Sequence, residues 1–169
     1  MQRAEVLSFS PPLPPRRCYW QILDEAGGWG MLQAAASPRL LERVNTKHFV
    51  LAQFTRHIRP GMTVLAGGDA RNLTAAGWDP RTGLLAVVTV NYAAAPTTVT
   101  LDLSSWGTTP APGTPVAQWR TSTASDTPDA AAAYTRVEGA AMAQGKRLAP
   151  ITLPAWTVAT LEVPGVFPR

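Results

Sequence analysis

The chain has 169 residues, 46% of them hydrophobic, which is enough for one domain with a core of ordinary size. Its 16 prolines and 13 glycines, against only 15% charged residues, favour a turn-rich β protein over a helical one. Although the net charge is +4, the basic residues are scattered singly and form no stripe with interleaved aromatics, so nucleic acid is not an expected partner.

Metal and membrane sites are also unsupported by the sequence. Cys18 is the single cysteine, and His48 and His57 lie nine positions apart with no other ligand beside them. We therefore predict no internal disulfide, no metal and no cofactor. Because no apolar run reaches the length of a membrane span, no membrane partner is predicted either.

The first 17 residues form a proline-rich segment. Residues 10–17 have the sequence Ser-Pro-Pro-Leu-Pro-Pro-Arg-Arg, a composition that favours polyproline II or disorder. The segment lacks the continuous apolar core and the small-residue cleavage site of a signal peptide. We predict a disordered end over residues 1–17.

The next segment has the pattern of a strand, a loop and a helix, in that order. An aromatic and apolar run at residues 18–23 predicts a short buried strand, and a glycine-rich loop carrying Trp29 follows it. Residues 31–33 predict a second short strand. Residues 34–44 are expected to form a loop or a weak helical turn that Pro38 breaks.

A helix is predicted over residues 46–59. Asn45 or Thr46 is expected to cap its start with a side-chain oxygen, and the Pro-Gly pair at residues 60–61 ends it. We expect His48 and His57 to be surface residues or hydrogen-bonded core residues rather than catalytic ones. Apolar residues at spacings of four, widened by their neighbours, predict the core-facing stripe: Val50, Phe54 and Ile58, with Phe49, Leu51 and His57.

After residue 61 the sequence predicts short strands at regular intervals, separated by turn residues. The strongest is the nearly continuous apolar run at residues 84–92, as expected at the centre of a sandwich. Near its end, Asn91 is interpreted as a structural residue that bonds the neighbouring turn. Four tryptophans are expected in the core and at the rim: Trp78, Trp106, Trp119 and Trp156. About eight strands indicate an antiparallel β-sandwich, at residues 63–66, 73–78, 84–92, 98–103, 116–121, 134–137, 148–153 and 156–163.

Several short motifs, taken together in their order and spacing, resemble glycoside hydrolase family 30 and, within it, the endo-β-1,6-galactanase-like group. The most specific motif is the Ile-Arg-Pro-Gly block at residues 58–61, which in the family ends the last barrel helix. The resemblance covers residues 18–163. The other motifs are Tyr19-Trp20-Gln21, residues 28–33, Asn91-Tyr92 and Leu153-Pro154-Ala155.

This resemblance implies a mainly β fold with two unlike parts. Residues 18–60 correspond to the last strand and helix of a TIM (β/α)8 barrel, and residues 61–169 to the antiparallel β-sandwich that follows it.

The resemblance also implies which residues contact substrate. In the family the last barrel strand ends at the cleft, so Tyr19, Trp20 and Gln21 are the implied sugar contacts, with Trp29 in its glycine-rich loop. A tryptophan face stacks on the C–H surface of a sugar ring, and glutamine bonds its hydroxyl groups. Without the rest of a barrel we expect these contacts to be vestigial. In the alternative interpretation, Trp20 packs under the helix as a core residue.

A catalytic pair is not expected in this chain. Enzymes of the family are retaining glycosidases with glutamates on the fourth and seventh barrel strands, roughly 5 Å apart. Both would precede Cys18. Asp24 and Glu25 are adjacent in an extended segment, so their side chains diverge, and Glu42 lies in a loop with no visible partner. The resemblance therefore implies that the chain is inactive alone.

Two functions from different classes follow. The first is the carboxyl-terminal part of a secreted glycosidase that acts on polysaccharide, since the family is extracellular and Asn72 opens an Asn-Leu-Thr glycosylation sequon. The second is a non-catalytic carbohydrate-binding or interaction module. That module requires an aromatic surface on one exposed sheet face, for which Trp119 and Tyr134 are the candidates.

Self-association is the remaining expectation. In the intact family the helix buries its stripe on barrel strands, whereas here Val50, Phe54 and Ile58 find only the sandwich or the short unit at residues 18–33. At roughly 2 kcal/mol for each apolar side chain left exposed, three such residues leave about 6 kcal/mol unrealised. We expect the full chain to associate or to bind a hydrophobic dye.

Overall fold

The computed structural model describes residues 2–5, 21–25, 28–35, 40–65, 73–125, 132–143 and 146–169. Within these residues the chain forms one helix and fourteen strands in three sheets. None of them belongs to a helix that is long and apolar enough to cross a membrane.

The largest sheet has six strands, and each is antiparallel to its neighbours. Its central pair is β7 (Leu84–Asn91) and β14 (Thr157–Val163), joined in unbroken register from Asn91–Thr157 to Leu85–Val163. The predicted central strand is confirmed, because β7 lies between β14 and β6. The remaining strands are β5 (Thr63–Leu65), β6 (Thr74–Asp79), β9 (Ala117–Ser122) and β10 (Thr135–Val137).

The second sheet is built on β8 (Thr97–Asp102) and packs on one face of the first. Both sheets contribute to one buried apolar core, in which the alternating residues of β8 meet those of β7 and β14. Its other strands are β1 (Gln2–Glu5), β11 (Met142–Ala143), β12 (Arg147–Leu148) and β13 (Ile151–Leu153). The core includes Val99, Leu101, Leu85, Val87, Ala159, Leu161, Val163, Trp78 and Trp106.

The predicted antiparallel sandwich is confirmed, with differences in detail. The run at residues 148–153 is two strands rather than one, and β11 was not predicted. Strand β1 pairs in parallel with β8, so the prediction of disorder is wrong for residues 2–5. The unpaired backbone edge of β8 accepts a strand through main-chain groups, which composition does not reveal. The rest of the segment 1–17 lies outside the described residues.

A small third sheet precedes the sandwich. It consists of β2 (Leu23–Asp24), β3 (Leu32–Ala34) and β4 (Leu41–Val44), in that order. The strand predicted at residues 18–23 is described only at its end, and the strand predicted at 31–33 is present. The loop predicted over residues 34–44 is wrong for its last four residues. They form β4 because Leu32 pairs with Val44 across an antiparallel register, a partner that local sequence does not show.

Helix α1 (Thr46–Thr55) lies on the outer face of the six-stranded sheet, against β9 and β14. Its closest contact is polar. Gln53 is fully buried, and its Nε2 donates to Thr121 Oγ1 at 2.8 Å. Thr160 Oγ1 lies 2.6 Å from Gln53 Oε1 and 3.0 Å from Gln53 O. Both ends of the amide are therefore satisfied, as burial of a polar group requires.

The prediction that the apolar residues of the stripe form the face toward the sheet is therefore wrong. Val50, Phe54 and Ile58 are only half-buried, whereas Gln53, which was not in the predicted stripe, is fully buried. His57, which was in the stripe, is buried as predicted. The sheet face beneath the helix carries threonine and glutamate side chains, so the matching helix face must be polar. Ile58 still packs closely. A Cβ added at Gly77 of β6 would lie 2.8 Å from Ile58 Cγ2.

Asn91 has the structural role predicted for it. Its buried Nδ2 lies 3.0, 3.2 and 2.8 Å from the carbonyl oxygens of Ala95, Leu153 and Pro154. Its Oδ1 accepts from the backbone N–H of Ala93 at 3.1 Å. One side chain thus joins the turn after β7 to the segment that leads into β14.

The four most exposed aliphatic side chains are in the small sheet and the residues beside it. They are Ile22, Leu23, Leu40 and Leu41, each more than half exposed. Exposed apolar side chains of this kind favour contact with another apolar surface.

The contact between Gln53 and the two threonines predicts a specific loss of stability. Replacing Gln53 with Ala leaves two buried hydroxyl groups without that partner and opens a small cavity. We expect the free energy of unfolding to fall by about 2–4 kcal/mol in urea titrations. Thr55→Ala, on the exposed side of the same helix, is the matched control and should change it by less than about 0.5 kcal/mol. Equal effects of the two substitutions would contradict this account of the helix–sheet contact.

The exposed aliphatic group predicts association. We expect the full chain to bind a hydrophobic dye and to elute from size-exclusion chromatography above its monomer mass. The double change Leu40→Ser and Leu41→Ser removes exposed apolar surface at little cost to the core, so it should lower both signals. Phe167→Ser, at a separate surface position, is the control. A monodisperse, dye-silent full-length monomer would show that this surface does not associate.

Candidate functional site

The residues predicted to contact substrate are only partly described. Tyr19, Trp20 and the sequon residue Asn72 lie outside the described residues. Gln21 is half-buried, and its backbone carbonyl accepts from the N–H of Met31 at 3.2 Å. Trp29 is the most exposed large hydrophobic residue of the described chain, with 72% of its surface accessible.

Several contacts hold the described backbone on either side of Trp29. Asp24 Oδ2 accepts from the backbone N–H of Trp29 at 2.8 Å. Gly28 has a φ of +68°, which glycine adopts without steric cost. Gly30 is required for a different reason, since an added Cβ would lie 2.7 Å from the Cβ and the N of Asp24. These contacts hold the loop while the tryptophan side chain is directed to solvent.

The helix start holds the same loop. Asn45 Nδ2 donates to the carbonyl of Gly30 at 2.8 Å, and its Oδ1 accepts from Arg43 Nε at 2.9 Å. The prediction that the Asn45 side-chain oxygen caps the helix is therefore wrong. Asn45 occupies the N-cap position, but its side chain is used by the loop and by β4. Lys47 Nζ also donates to the carbonyl of Gly28, so the loop and the helix start form one unit.

A second polar cluster lies at the other end of the helix. His57 is buried, with Nδ1 2.8 Å from Glu162 Oε1 and Nε2 2.6 Å from the Tyr134 hydroxyl. With its proton on Nδ1, the imidazole donates to Glu162 and accepts from Tyr134. Burial raises the pKa of Tyr134, which keeps the phenol protonated as that donor. His57 is thus a hydrogen-bonded core residue, and His48 is exposed, as predicted.

The His57 cluster also uses the two aromatic residues considered for a sheet-face binding surface. The rings of His57 and Trp119 lie 4.6 Å apart, and Tyr134 is bonded to His57. Trp119 and Tyr134 are therefore half-buried members of this cluster rather than a separate exposed pair on the sheet. The sequence did not reveal this cluster as a unit, because 77 residues separate His57 from Tyr134 and 105 separate it from Glu162.

A cavity of about 340 Å³ adjoins this cluster along the outward face of α1. Its lining is mixed, with aromatic and aliphatic side chains beside the Arg56 guanidinium, which lies 4.9 Å from the centre of the Tyr134 ring. The residues that line it are Met31, His48, Phe49, Leu51, Ala52, Thr55, Arg56 and Tyr134. No aspartate or glutamate is among these described lining residues.

Most described carboxylates have structural partners. Glu25 and Glu42 are exposed to solvent. The backbone N–H of Arg81 lowers the pKa of Asp79 in the turn before β7. The described residues contain no group of three or more His, Cys, Asp or Glu able to hold a metal ion. The paired carboxylates are Asp24 with the Trp29 N–H, Asp79 with Arg81 and Thr82, Asp102 with Arg147, Glu138 with Arg136, and Glu162 with His57.

Comparison with known proteins identifies the relatives of the chain. No family model matches the sequence. An endo-β-1,6-galactanase of Hypocrea rufa is 39% identical over 118 residues, which cover 70% of this chain. The chain spans only 24% of the length of that relative.

Solved structures share the fold. A glycoside hydrolase family 30 subfamily 8 xylanase from Clostridium acetobutylicum superposes with a TM-score of 0.57 at 16% identity, over 83% of this chain and 32% of the xylanase. The catalytic domain of a family 30 xylanase C from Talaromyces cellulolyticus gives a TM-score of 0.55 at 18% identity, over 79% and 27%. The resemblance found in the sequence is thus confirmed: the chain is similar in sequence to an endo-β-1,6-galactanase and shares its fold with glycoside hydrolases of family 30.

Proposed function

We propose that the chain forms the sandwich-bearing part of a secreted glycosidase that acts on β-1,6-linked galactan, and that the chain alone does not hydrolyse it. The observation that carries the proposal is the 39% identity to an endo-β-1,6-galactanase. The matched region extends over 118 residues. Because the helix and the small sheet together contain fewer residues than that, the matched region includes sandwich sequence as well.

The carboxylates of the described chain support the absence of hydrolysis. A retaining glycosidase needs two carboxyl groups about 5–5.5 Å apart on either side of the scissile bond. Five of the described carboxylates are used in turns and ion pairs. The exposed pair, Glu25 and Glu42, lacks the water-poor pocket from which a glycosidase acid works.

The Trp29 loop is the part of the chain that we assign to substrate. Asp24, Gly30 and Lys47 fix its backbone, and a fixed loop presents an aromatic ring at little entropic cost on binding. In this proposal the loop adds one sugar-stacking ring to a cleft whose catalytic groups lie elsewhere in the enzyme. The sandwich holds the helix, and the helix start holds the loop.

A hydrolysis assay tests the proposal. Purified chain incubated with β-1,6-galactan should release no more reducing sugar than a buffer blank, because the described residues contain no facing carboxylate pair to perform the reaction. An active endo-β-1,6-galactanase under the same conditions is the positive control. Hydrolysis by the chain that disappears in Glu25→Gln or Glu42→Gln would overturn the proposal and place the catalytic group in this chain.

Secretion of the enzyme is part of the same proposal, and the sequon at Asn72 supports it. When the chain is directed through a eukaryotic secretory pathway, we expect a glycan on Asn72, seen as a gel shift removed by an N-glycosidase. Asn72→Gln should abolish the shift, whereas Thr74→Ser, which preserves the sequon as Asn-Leu-Ser, should keep it. A secreted product without the shift would remove this support.

A further inference from the structure

Two exposed aromatic residues lie at the same end of the six-stranded sheet. Tyr92 directly follows β7, and Trp156 directly precedes β14. The terminal strand residues next to them, Asn91 and Thr157, are paired in register. The backbone N–H of Trp156 donates to the carbonyl of Ala93 at 3.2 Å. Tyr92 is 55% exposed and Trp156 is 42% exposed, so both present surface to solvent.

The backbone of Trp156 is strained. Its φ is +53°, in the left-handed region that a bulky side chain rarely occupies. Such a conformation costs about 1–3 kcal/mol and persists where the surroundings impose it. Here Thr123 imposes it, because its N–H and Oγ1 both donate to the Trp156 carbonyl, at 2.6 and 2.9 Å. A strained residue with an exposed ring at a strand end is typical of a binding position.

Both loops are held rigidly. Asn91 bonds the carbonyls of Ala95 and Pro154, one in the loop of Tyr92 and the other in the loop of Trp156. The Asn91 side chain also contacts the Thr97 hydroxyl at 3.3 Å. The two aromatic residues are therefore pre-positioned relative to each other before any ligand arrives, which reduces the entropy lost on binding.

This end of the sandwich is continuous with the Trp29 loop. Thr123, which holds Trp156, is two residues from Ser125, whose carbonyl accepts from the Thr46 hydroxyl at the start of α1. The next residue, Lys47, bonds the carbonyl of Gly28, beside Trp29. Three hydrogen bonds, joined by two short segments of backbone, thus connect Trp156 to the loop assigned to substrate.

We propose that Tyr92 and Trp156 form a second glycan-binding site, which takes a β-1,6-linked galactan chain outside the catalytic cleft. The inference rests on the proposed function for the identity of the glycan. Flat aromatic rings offer π faces to the C–H surfaces of galactose, and the Thr123 hydroxyl, which donates to the Trp156 carbonyl, keeps its oxygen as an acceptor for a sugar hydroxyl. A polymer that spans both sites gains affinity from the second contact without any change at the first.

The experiment uses the full chain and soluble β-1,6-galactan oligosaccharides in isothermal titration calorimetry. Trp156→Gly removes the ring and relieves the positive φ, so it should keep the melting temperature close to that of the wild type. Tyr92→Ala removes the other ring. We expect each substitution to weaken binding by about tenfold, the loss expected for one stacked ring.

The matched control is Phe167→Ala. The Phe167 ring lies against Gly83, at the start of β7, whereas Tyr92 follows its end. Gly83 and Tyr92 are nine residues apart, which is about 30 Å along an extended strand. Phe167→Ala also removes an exposed aromatic ring, but it should leave affinity within about twofold of the wild type.

Several results would overturn the proposal. They are no binding by the folded wild-type chain, unchanged affinity in both Tyr92→Ala and Trp156→Gly, and equal losses in Phe167→Ala. Loss of binding in Trp29→Ala with none in the other two would place the ligand at the loop alone, and would overturn it as well. Failure here is distinct from failure of the proposed function. Unchanged affinity in Tyr92→Ala and Trp156→Gly with absent hydrolysis contradicts only the second site, whereas hydrolysis by the chain contradicts only the proposed function.

Discussion

The contact between Gln53 and the threonines of β9 and β14 is the constraint on which the rest of the arrangement depends. A fully buried amide is tolerated only when its donors and its acceptor are all paired, and Thr121 and Thr160 supply both kinds of partner. Because hydrogen bonds are directional, this contact fixes the helix in position and rotation more narrowly than an apolar stripe would. The His57–Glu162 contact repeats the constraint one turn further along, so the helix cannot slide or roll on the sheet.

Much of the sandwich could be predicted from the sequence, because its information is local. Alternation in β8 and the continuous apolar run of β7 each specify a strand, and Asp79 to Gly83 specifies the turn before β7. Strands β1, β4 and β11 could not be predicted in this way. They are four residues or shorter, and they exist because a partner strand offers an unpaired backbone edge. The prediction of which helix face is buried was wrong for a related reason. Which face is buried depends on the polarity of the sheet beneath it, and that sheet comes from residues more than 60 positions later.

The candidate site could likewise be predicted only where its signal in the sequence is local. The Trp29 loop was identified from its glycines and its aromatic residue, and Gly30 is indeed required there by its close approach to Asp24. The pairing of Tyr92 with Trp156 was not foreseen. Trp156 was expected in the core or at the rim, and its exposure depends on a positive φ and on a bond from Thr123, neither of which any local pattern encodes. Conversely, the sequence offered Trp119 and Tyr134 as candidates for a binding surface, whereas in the structure Trp119 contacts the His57 ring and Tyr134 is hydrogen-bonded to it.

The two parts of the chain are therefore joined by polar contacts rather than by a shared apolar core, and this has a consequence for function. An apolar interface tolerates small shifts, since dispersion and burial depend weakly on orientation. The bonds that connect β14, α1 and the Trp29 loop do not, because each has a specific donor and acceptor. A sandwich attached in this way acts as a rigid support for the loop at the helix start. It can keep aromatic residues from both parts in a constant relation, which a long polymer needs if it is to contact both. That requirement explains why a helix with four large apolar residues presents the Gln53 amide to the sheet instead, with the buried His57 imidazole just beyond its end.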